Sequence, residues 1–133
     1  MKLVLDTNSL FTLFWKGSLI KKLLISEHDL YSPDFALKEL NKHKEEILKK
    51  AKISSIEFDK ILIGLQDIIK FIKFENYSSN IPEAFNLLPD HPKDIDFLAL
   101  ALKINAGLLS NDKELNKQIK IKIFSREKYA ELF

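Results

Sequence analysis

Residues 2–6 form a short apolar run that ends in the carboxylate Asp6. Continuous apolarity over so few residues is typical of a strand buried on both faces, as at the centre of a parallel sheet. In an open parallel sheet the working crevice lies beyond the carboxyl ends of the strands. Asp6 therefore marks the place where further functional residues are expected.

The rest of the chain alternates between strand-like and helical patterns. Further strands are predicted at residues 30–31, 71–75, 108–110 and 119–123. In the last of these, isoleucines alternate with lysines, which indicates one wet face at a sheet edge. Helices are predicted at residues 9–15, 18–26, 33–50, 83–88 and 94–104, with a long helix after residue 54 and short ones after residues 112 and 125.

Several helix ends carry recognisable signals. Ser32 and Pro33 are expected to open the 33–50 helix, with Ser32 as its cap and Pro33 in the first turn. Ser54 and Glu57 form a capping-box pattern. Gly107 is expected to end the 94–104 helix.

Strands separated by helices imply parallel pairing through right-handed crossovers, and hence an α/β fold built as a three-layer α/β/α sandwich. We expect a central, mostly parallel sheet of about five strands. The 133 residues are the size of one folding unit, so residues 1–133 are predicted to form a single domain.

The composition excludes several kinds of functional site. The chain has no cysteine, which rules out a disulfide scaffold, a zinc–thiolate site and a thiol nucleophile. His28, His43 and His91 are widely separated and form no metal-binding pair. The three glycines are isolated, which excludes a glycine-rich phosphate loop. With 21 basic and 19 acidic side chains, the net charge of +2 permits nucleic-acid binding without arguing for it.

Carboxylates recur where strands end or helices begin. Asp112 follows the fourth predicted strand, and Asp94 and Asp96 lie at the start of the helix before it. Glu39 follows Phe35 by four residues, so it shares a helix face with an apolar side chain and is a candidate to point inward. Each acid taken alone is also consistent with an ordinary helix cap or a solvated side chain.

Several carboxylates in one pocket repel one another, and they all stay ionised only beside a cation. A hard divalent metal with oxygen ligands resolves this repulsion. Without cysteine or a histidine pair, Mg²⁺ or Mn²⁺ fits better than zinc. Such a metal polarises a phosphoryl oxygen and lowers the pKa of bound water, as phosphodiester hydrolysis requires.

Four short motifs, in this order, resemble those of a PIN domain, the ribonuclease fold of VapC-type toxins and related archaeal proteins. They lie at residues 3–8 (LVLDTN), 33–40 (PDFALKEL), 94–101 (DIDFLALA) and 109–113 (LSNDK), and the match spans nearly the whole chain. The resemblance implies the strand order 3-2-1-4-5. It also implies Mg²⁺- or Mn²⁺-dependent endoribonuclease activity, in which metal-activated water attacks phosphorus and leaves a 3′-hydroxyl and a 5′-phosphate.

The same resemblance implies which acids hold the metal and act in catalysis. They are Asp6, Glu39, Asp94 and Asp112, with Asp96 as a rival to Asp94 or an additional metal ligand. Since all four acids are present, the resemblance implies an active enzyme.

Other polar residues near the motifs are expected to support the acids or contact the substrate. The resemblance implies such a role for Ser110, just before the fourth acid, and for Thr7 and Asn8. Ammonium groups beside the acids could hold RNA phosphates without reading sequence, although a solvated lysine-rich helix face is an equally good interpretation. The lysines concerned are Lys38, Lys42, Lys93 and Lys113.

Two other functions remain open. Haloacid-dehalogenase-like phosphatases also have a strand that ends in aspartate, but the position of their second acid is here Asn8, which removes the general acid. A catalytically silent PIN-fold protein that binds RNA or serves as a scaffold is the other hypothesis. The complete set of acids argues against it.

The resemblance also implies protein partners, because PIN domains often form homodimers and toxins pair with an antitoxin. Extra apolar residues could serve either contact or be buried inside the domain. These residues are Phe11, Phe14, Trp15, Ile63 and Ile68. No segment resembles a targeting signal or a membrane span, so a cytoplasmic protein is expected.

Overall fold

The computed structural model describes residues 1–18, 20–129 and 131–133 in full, and the backbone alone at 19 and 130. Five strands form one sheet: β1 (Lys2–Leu5), β2 (Asp29–Pro33), β3 (Ile69–Ile72), β4 (Gly107–Leu109) and β5 (Ile123–Phe124). All pairings are parallel, and the order across the sheet is β3-β2-β1-β4-β5. This confirms the predicted α/β architecture and its strand order.

Helices cover both faces of the sheet. The α-helices are α1 (Thr7–Thr12), α2 (Phe35–Lys42), α3 (Lys44–Ala51), α4 (Ser55–Ile68), α5 (Ile81–Leu87) and α6 (Ile95–Ile104). Short 3₁₀ helices lie at Leu19–Ile25, Phe74–Asn76, Ser78–Asn80, Pro92–Asp94, Lys113–Lys117 and Arg126–Leu132. No helix in the described part of the chain combines the length and apolarity needed to cross a lipid bilayer.

The strand β1 lies at the centre of the sheet, paired with β2 on one side and β4 on the other. Leu3 and Leu5 pack into the core under α1–α4, whereas Val4 packs into a second core under α5 and α6. All three side chains have no exposed surface. Burial on both faces explains why this strand is continuously apolar.

The predicted helix over residues 33–50 is wrong in two respects. Pro33 ends β2 instead of opening a helix, and the hydroxyl of Ser32 donates a hydrogen bond to the Leu5 carbonyl at 2.9 Å instead of capping. The helical stretch then begins at Phe35 and is interrupted at His43, which separates α2 from α3. The capping box of Ser54 and Glu57 at the start of α4 is confirmed.

Other predicted boundaries also differ, among them that of β3, which covers Ile69–Ile72 instead of residues 71–75. Asn105, not Gly107, takes the left-handed conformation that ends α6, with φ of 55°. Gly107 instead opens β4, where a Cβ atom would lie 2.7 Å from the Phe124 ring. The last strand covers only Ile123–Phe124, because the Gln118 side chain bonds the backbone of Ile121 and turns the preceding residues.

Candidate active site at the carboxyl ends of the strands

An open cavity of about 850 Å³ lies beyond the carboxyl ends of β1 and β4. All five acids singled out from the sequence line it, although they come from four separate places in the chain. They are Asp6, Glu39, Asp94, Asp96 and Asp112. Parallel pairing of β1 with β4 places the residues that follow these two strands side by side.

Asp6 is fixed by the element that follows it. It is the N-cap of α1, where its Oδ1 accepts a hydrogen bond from the Ser9 backbone N–H at 2.8 Å, and it is only 7% exposed. Burial raises the pKa of Asp6, because the charged form loses water, and hydrogen bonds from Ser110 and Ser9 oppose that increase. The carboxylate is therefore oriented but poorly neutralised.

Asp94 and Asp112 form a close pair of acids. Asp94 ends the Pro92–Asp94 turn and is 6% exposed, and Asp112 caps the next turn by accepting a hydrogen bond from the Glu114 N–H at 3.0 Å. The Oδ2 atom of each acid is buried and has no hydrogen-bond partner among the described residues. Neither oxygen therefore accepts a hydrogen bond from a backbone N–H group or a neutral polar side chain, and the Lys93 ammonium, 3.5 Å from Asp112 Oδ2, is the one cation within ion-pair distance of either of them in the described part of the chain.

The opposite pKa shifts of the two acids favour a single proton shared between them. Burial, followed by a hydrogen bond to Asp112, raises the pKa of Asp94 to about 7. The same hydrogen bond lowers the pKa of Asp112, assisted by the Glu114 N–H and by Lys93. A cation placed between the two carboxylates would replace that proton.

Asp96 is engaged differently from Asp94, although both line the cavity. The hydroxyl of the buried Tyr77 donates a hydrogen bond to its Oδ2 at 2.6 Å. Burial and the neighbouring Asp96 raise the pKa of Tyr77, so the hydroxyl stays a donor. Tyr77 was not singled out from the sequence. Its partner lies nineteen residues away, so no local pattern marks it.

Glu39 lies on α2 and lines the same cavity, where its side chain is 37% exposed. His43, one turn later, lies 3.7 Å from Glu39 and 3.4 Å from Glu46, with its ring 5.5 Å from that of Phe11. The imidazole therefore bridges two carboxylates. Its contact with Phe11 also packs the junction between α2 and α3 against α1.

The other predicted site residues fall into two groups. Thr7 and Asn8, in the first turn of α1, line the cavity. Ser110 is fully buried beneath it, where its Oγ accepts a hydrogen bond from the Asp112 N–H at 3.1 Å. Ser9, which the sequence did not mark, is also buried, and its hydroxyl donates a hydrogen bond to the Leu109 carbonyl at 3.0 Å.

The four candidate lysines separate into two pairs. Lys93 and Lys113 line the cavity, and the Lys93 Nζ lies 3.5 Å from Asp112 Oδ2. Lys38 and Lys42 are exposed on α2 and are not among the residues that line the cavity. The cations closest to the acids therefore come from the β4 side of the site.

The donor set suits a hard divalent metal. In the described part of the chain, no three carboxylate or histidine side chains converge closely enough to hold a metal ion by themselves. Mg²⁺, however, usually keeps several waters and binds through one or two carboxylates. The Oδ2 atoms of Asp94 and Asp112, which accept no hydrogen bond among the described residues, supply that minimum, with Asp6 beside them.

Comparison with known proteins agrees with the fold. The crystal structure of VapBC2 from Rickettsia felis, bound to a DNA fragment from their promoter, includes a similar chain with a TM-score of 0.69 and 18% sequence identity. The similarity covers 94% of this chain and 98% of that one. No curated protein sequence is significantly similar. The profile of the PIN domain, a family that consists generally of nucleases, matches residues 4–128, so the chain belongs to the PIN domain family.

Proposed function

We propose that the protein is an endoribonuclease that hydrolyses RNA phosphodiester bonds with the aid of Mg²⁺ or Mn²⁺. The observation that carries this proposal is the pair of buried Oδ2 atoms of Asp94 and Asp112, which line an open cavity and have no hydrogen-bond partner among the described residues. Orphaned acceptors of this kind are costly unless a cation or water satisfies them.

Each acid has a distinct part in the proposed site. Asp94 and Asp112 would hold the metal, and Asp6 completes the acidic floor because Ser9 and Ser110 fix its carboxylate. When bound, the metal would polarise a phosphoryl oxygen and lower the pKa of bound water. Glu39 faces this floor from α2, where it is partly exposed and reachable by a substrate.

Asp96 supports the proposed site through its contact with Tyr77. That hydrogen bond orients its carboxylate toward Tyr77, which directly precedes the Ser78–Asn80 turn, and makes it a weaker metal ligand than Asp94. Thr7 and Asn8 lie at the cavity wall, where a hydroxyl and an amide can orient a phosphate or ribose. Lys93 and Lys113 supply positive charge for the phosphates that flank the cleaved bond.

The direct test is incubation of the purified protein with labelled single-stranded RNA and Mg²⁺ or Mn²⁺. We expect cleavage that EDTA stops and that Asp6→Asn, Asp94→Asn and Asp112→Asn each reduce by at least about a hundredfold. Asp67→Asn is a matched control because Asp67 is exposed on α4, away from the cavity. Cleavage that persists in the three site variants would contradict the assignment, and no cleavage of any RNA would favour the scaffold hypothesis.

We further propose that the protein pairs with an antitoxin and forms a homodimer. The similar chain in the Rickettsia felis structure belongs to a VapBC complex. Ile56, Ile63 and Ile68 on α4 are 69%, 63% and 44% exposed, so the fold leaves these three apolar side chains uncovered. Phe14, in contrast, is fully buried. A monomer in light scattering at micromolar concentration would exclude the homodimer.

A further inference from the structure

Two further cavities continue the surface beyond the acids. A cavity of about 700 Å³ beyond β4 and β5 shares Asn111, Asp112 and Lys113 with the acid cavity. Another of about 550 Å³ lies between the end of α1 and the Arg126–Leu132 helix, and shares Arg126 with the second. Because they share these lining residues, the three cavities lie next to one another along the surface, and we call the three together the exit path.

The charge of the lining changes along the exit path. The acid cavity is lined by six carboxylates, whereas no carboxylate is among the residues that line the third cavity. The second cavity combines Asp112 and Glu127 with three cations. The cations along the two outer cavities are Lys16, Lys113, Arg126 and Lys128. Among the described residues, none of these four has a carboxylate within ion-pair distance.

The third cavity combines cations with aromatic surface. Trp15, the single tryptophan of the chain, is partly buried against the core and lines this cavity together with Tyr129 and Ile20. Lys16 and Arg126 lie at the same cavity. A flat aromatic surface beside a guanidinium and an ammonium is the combination that binds a stacked nucleobase and its phosphate.

The outer part of the path is tied to the acids by one side chain. Asn111, between Ser110 and Asp112, accepts a hydrogen bond from the Arg126 backbone N–H at 2.7 Å. The loop that carries Asp112 and the helix that carries Arg126 are therefore connected directly. This connection sets the position of Arg126 relative to the bond that the acids would cleave.

We propose that the exit path binds the single RNA strand on one side of the cleaved bond. Its phosphates pass Lys113 and Arg126, and one base stacks on Trp15. The proposal rests on the proposed ribonuclease function, since it identifies where the rest of the substrate lies. The change from carboxylates to unpaired cations along the path favours a polyanion over a protein segment as the occupant.

The single tryptophan provides a direct measurement. In metal-free buffer with EDTA, a short oligoadenylate is titrated into the protein and the Trp15 fluorescence is recorded. We expect saturable quenching by oligoadenylate, and no quenching by an abasic ribose-phosphate strand of the same length. Equal responses to the two strands, or no response to either, would overturn the proposal.

Variants of Trp15 lack this fluorescence, so the affinity of variants is measured by the anisotropy of labelled oligoadenylate. We expect Trp15→Leu to raise the Kd by at least about fivefold, whereas Trp15→Phe keeps an aromatic surface and stays close to the unaltered protein. Arg126→Gln should lower the salt dependence of log K by about 0.7. Lys103→Gln is the charge-matched control, because Lys103 is exposed in the last turn of α6 and is not among the residues that line the three cavities.

These measurements separate the two proposals. Because no metal is present, oligoadenylate binding at Trp15 is detected whether or not the protein cleaves RNA. Cleavage with unchanged affinity in Trp15→Leu and Arg126→Gln would overturn the exit path and leave the ribonuclease function standing. Base-dependent quenching without cleavage at any metal concentration would support the exit path as a binding site and overturn the ribonuclease function.

Discussion

The ammonium nitrogen of Lys93 lies 3.5 Å from Oδ2 of Asp112, the carboxylate oxygen that accepts no hydrogen bond. The Lys93 side chain is 77% exposed, so this ion pair is screened by water and stabilises the protein only weakly. The ammonium supplies part of the positive charge that a metal would supply. A metal at this place must compete with it.

Replacing Lys93 with glutamine is therefore expected to tighten Mn²⁺ binding. An exposed ion pair contributes up to about 1 kcal/mol, so the Kd should fall by no more than about fivefold. Isothermal titration of the metal measures the change, with Lys103→Gln as the control. Weaker Mn²⁺ binding in Lys93→Gln would show that the lysine supports the metal site instead of competing for it.

The stability of the metal-free protein should depend on pH through the titration of Asp94. Its pKa is raised from 3.8 to about 7, so between these values the folded protein keeps a proton that the unfolded chain releases. The free energy of unfolding consequently falls as the pH rises from about 4 to about 7. The lowered pKa of Asp112 acts below this window, where stability is lost as the pH falls.

Asp94→Asn removes the charge but keeps a side chain that donates to Asp112. We expect a higher melting temperature than that of the unaltered protein at pH 7 without metal, and a flatter pH profile. Thermal unfolding in EDTA from about pH 5 to about pH 8 measures both, beside Asp67→Asn. A lower melting temperature for Asp94→Asn would indicate that this acid is mainly a structural cap.

The contact between Tyr77 and Asp96 separates the two candidates for the third acid. Tyr77→Phe leaves the Asp96 carboxylate without its donor and should lower the free energy of unfolding by about 1–2 kcal/mol. Asp96→Asn should retain most of the Mn²⁺ affinity, whereas Asp94→Asn should lose it. Denaturant unfolding and metal titration provide the two measurements. If Asp94→Asn and Asp96→Asn lost Mn²⁺ binding equally, Asp96 would be identified as a metal ligand.

Alanine substitutions at two glycines should change the free energy of unfolding in opposite directions. At Gly107 the added Cβ would lie 2.7 Å from the Phe124 ring, so Gly107→Ala is expected to destabilise the protein by about 1–3 kcal/mol. Gly64 lies inside α4 with nothing within 4 Å of an added Cβ, so Gly64→Ala should stabilise it by about 0.5–1 kcal/mol. Denaturant unfolding of the pair measures both signs. If both substitutions raised the free energy of unfolding, the packing between β4 and β5 would have relaxed around the added Cβ atom.

Most of the architecture could be predicted because local patterns determine it. The continuous apolarity of β1 follows from burial on both faces, and the capping box of Ser54 and Glu57 involves only neighbouring residues. The prediction failed at Pro33, where a helix-start signal competed with strand pairing. Pairing between β2 and β3, which aligns Pro33 with Ile72, prevailed.

In the candidate site, too, some residues could be placed from local patterns and others could not. Asp6 and Asp112 could be placed from the sequence because Asp6 directly follows β1 and Asp112 lies in the loop just after β4. The roles of Tyr77, Ser9 and Asn111 could not, because each contacts a residue that only the tertiary fold brings near. The interruption at His43 depends likewise on contacts with Phe11 and two carboxylates.

The alternation of side chains along β1 has a consequence for how the molecule opens. Since Leu3 and Leu5 belong to one core and Val4 to the other, neither core can separate from the sheet without exposing β1. Its backbone amides should therefore exchange with deuterium only on global unfolding. The backbone of Asp6, at the end of this strand, would keep its position when helices other than α1 open, whereas an opening of α1 would release its carboxylate from the Ser9 N–H.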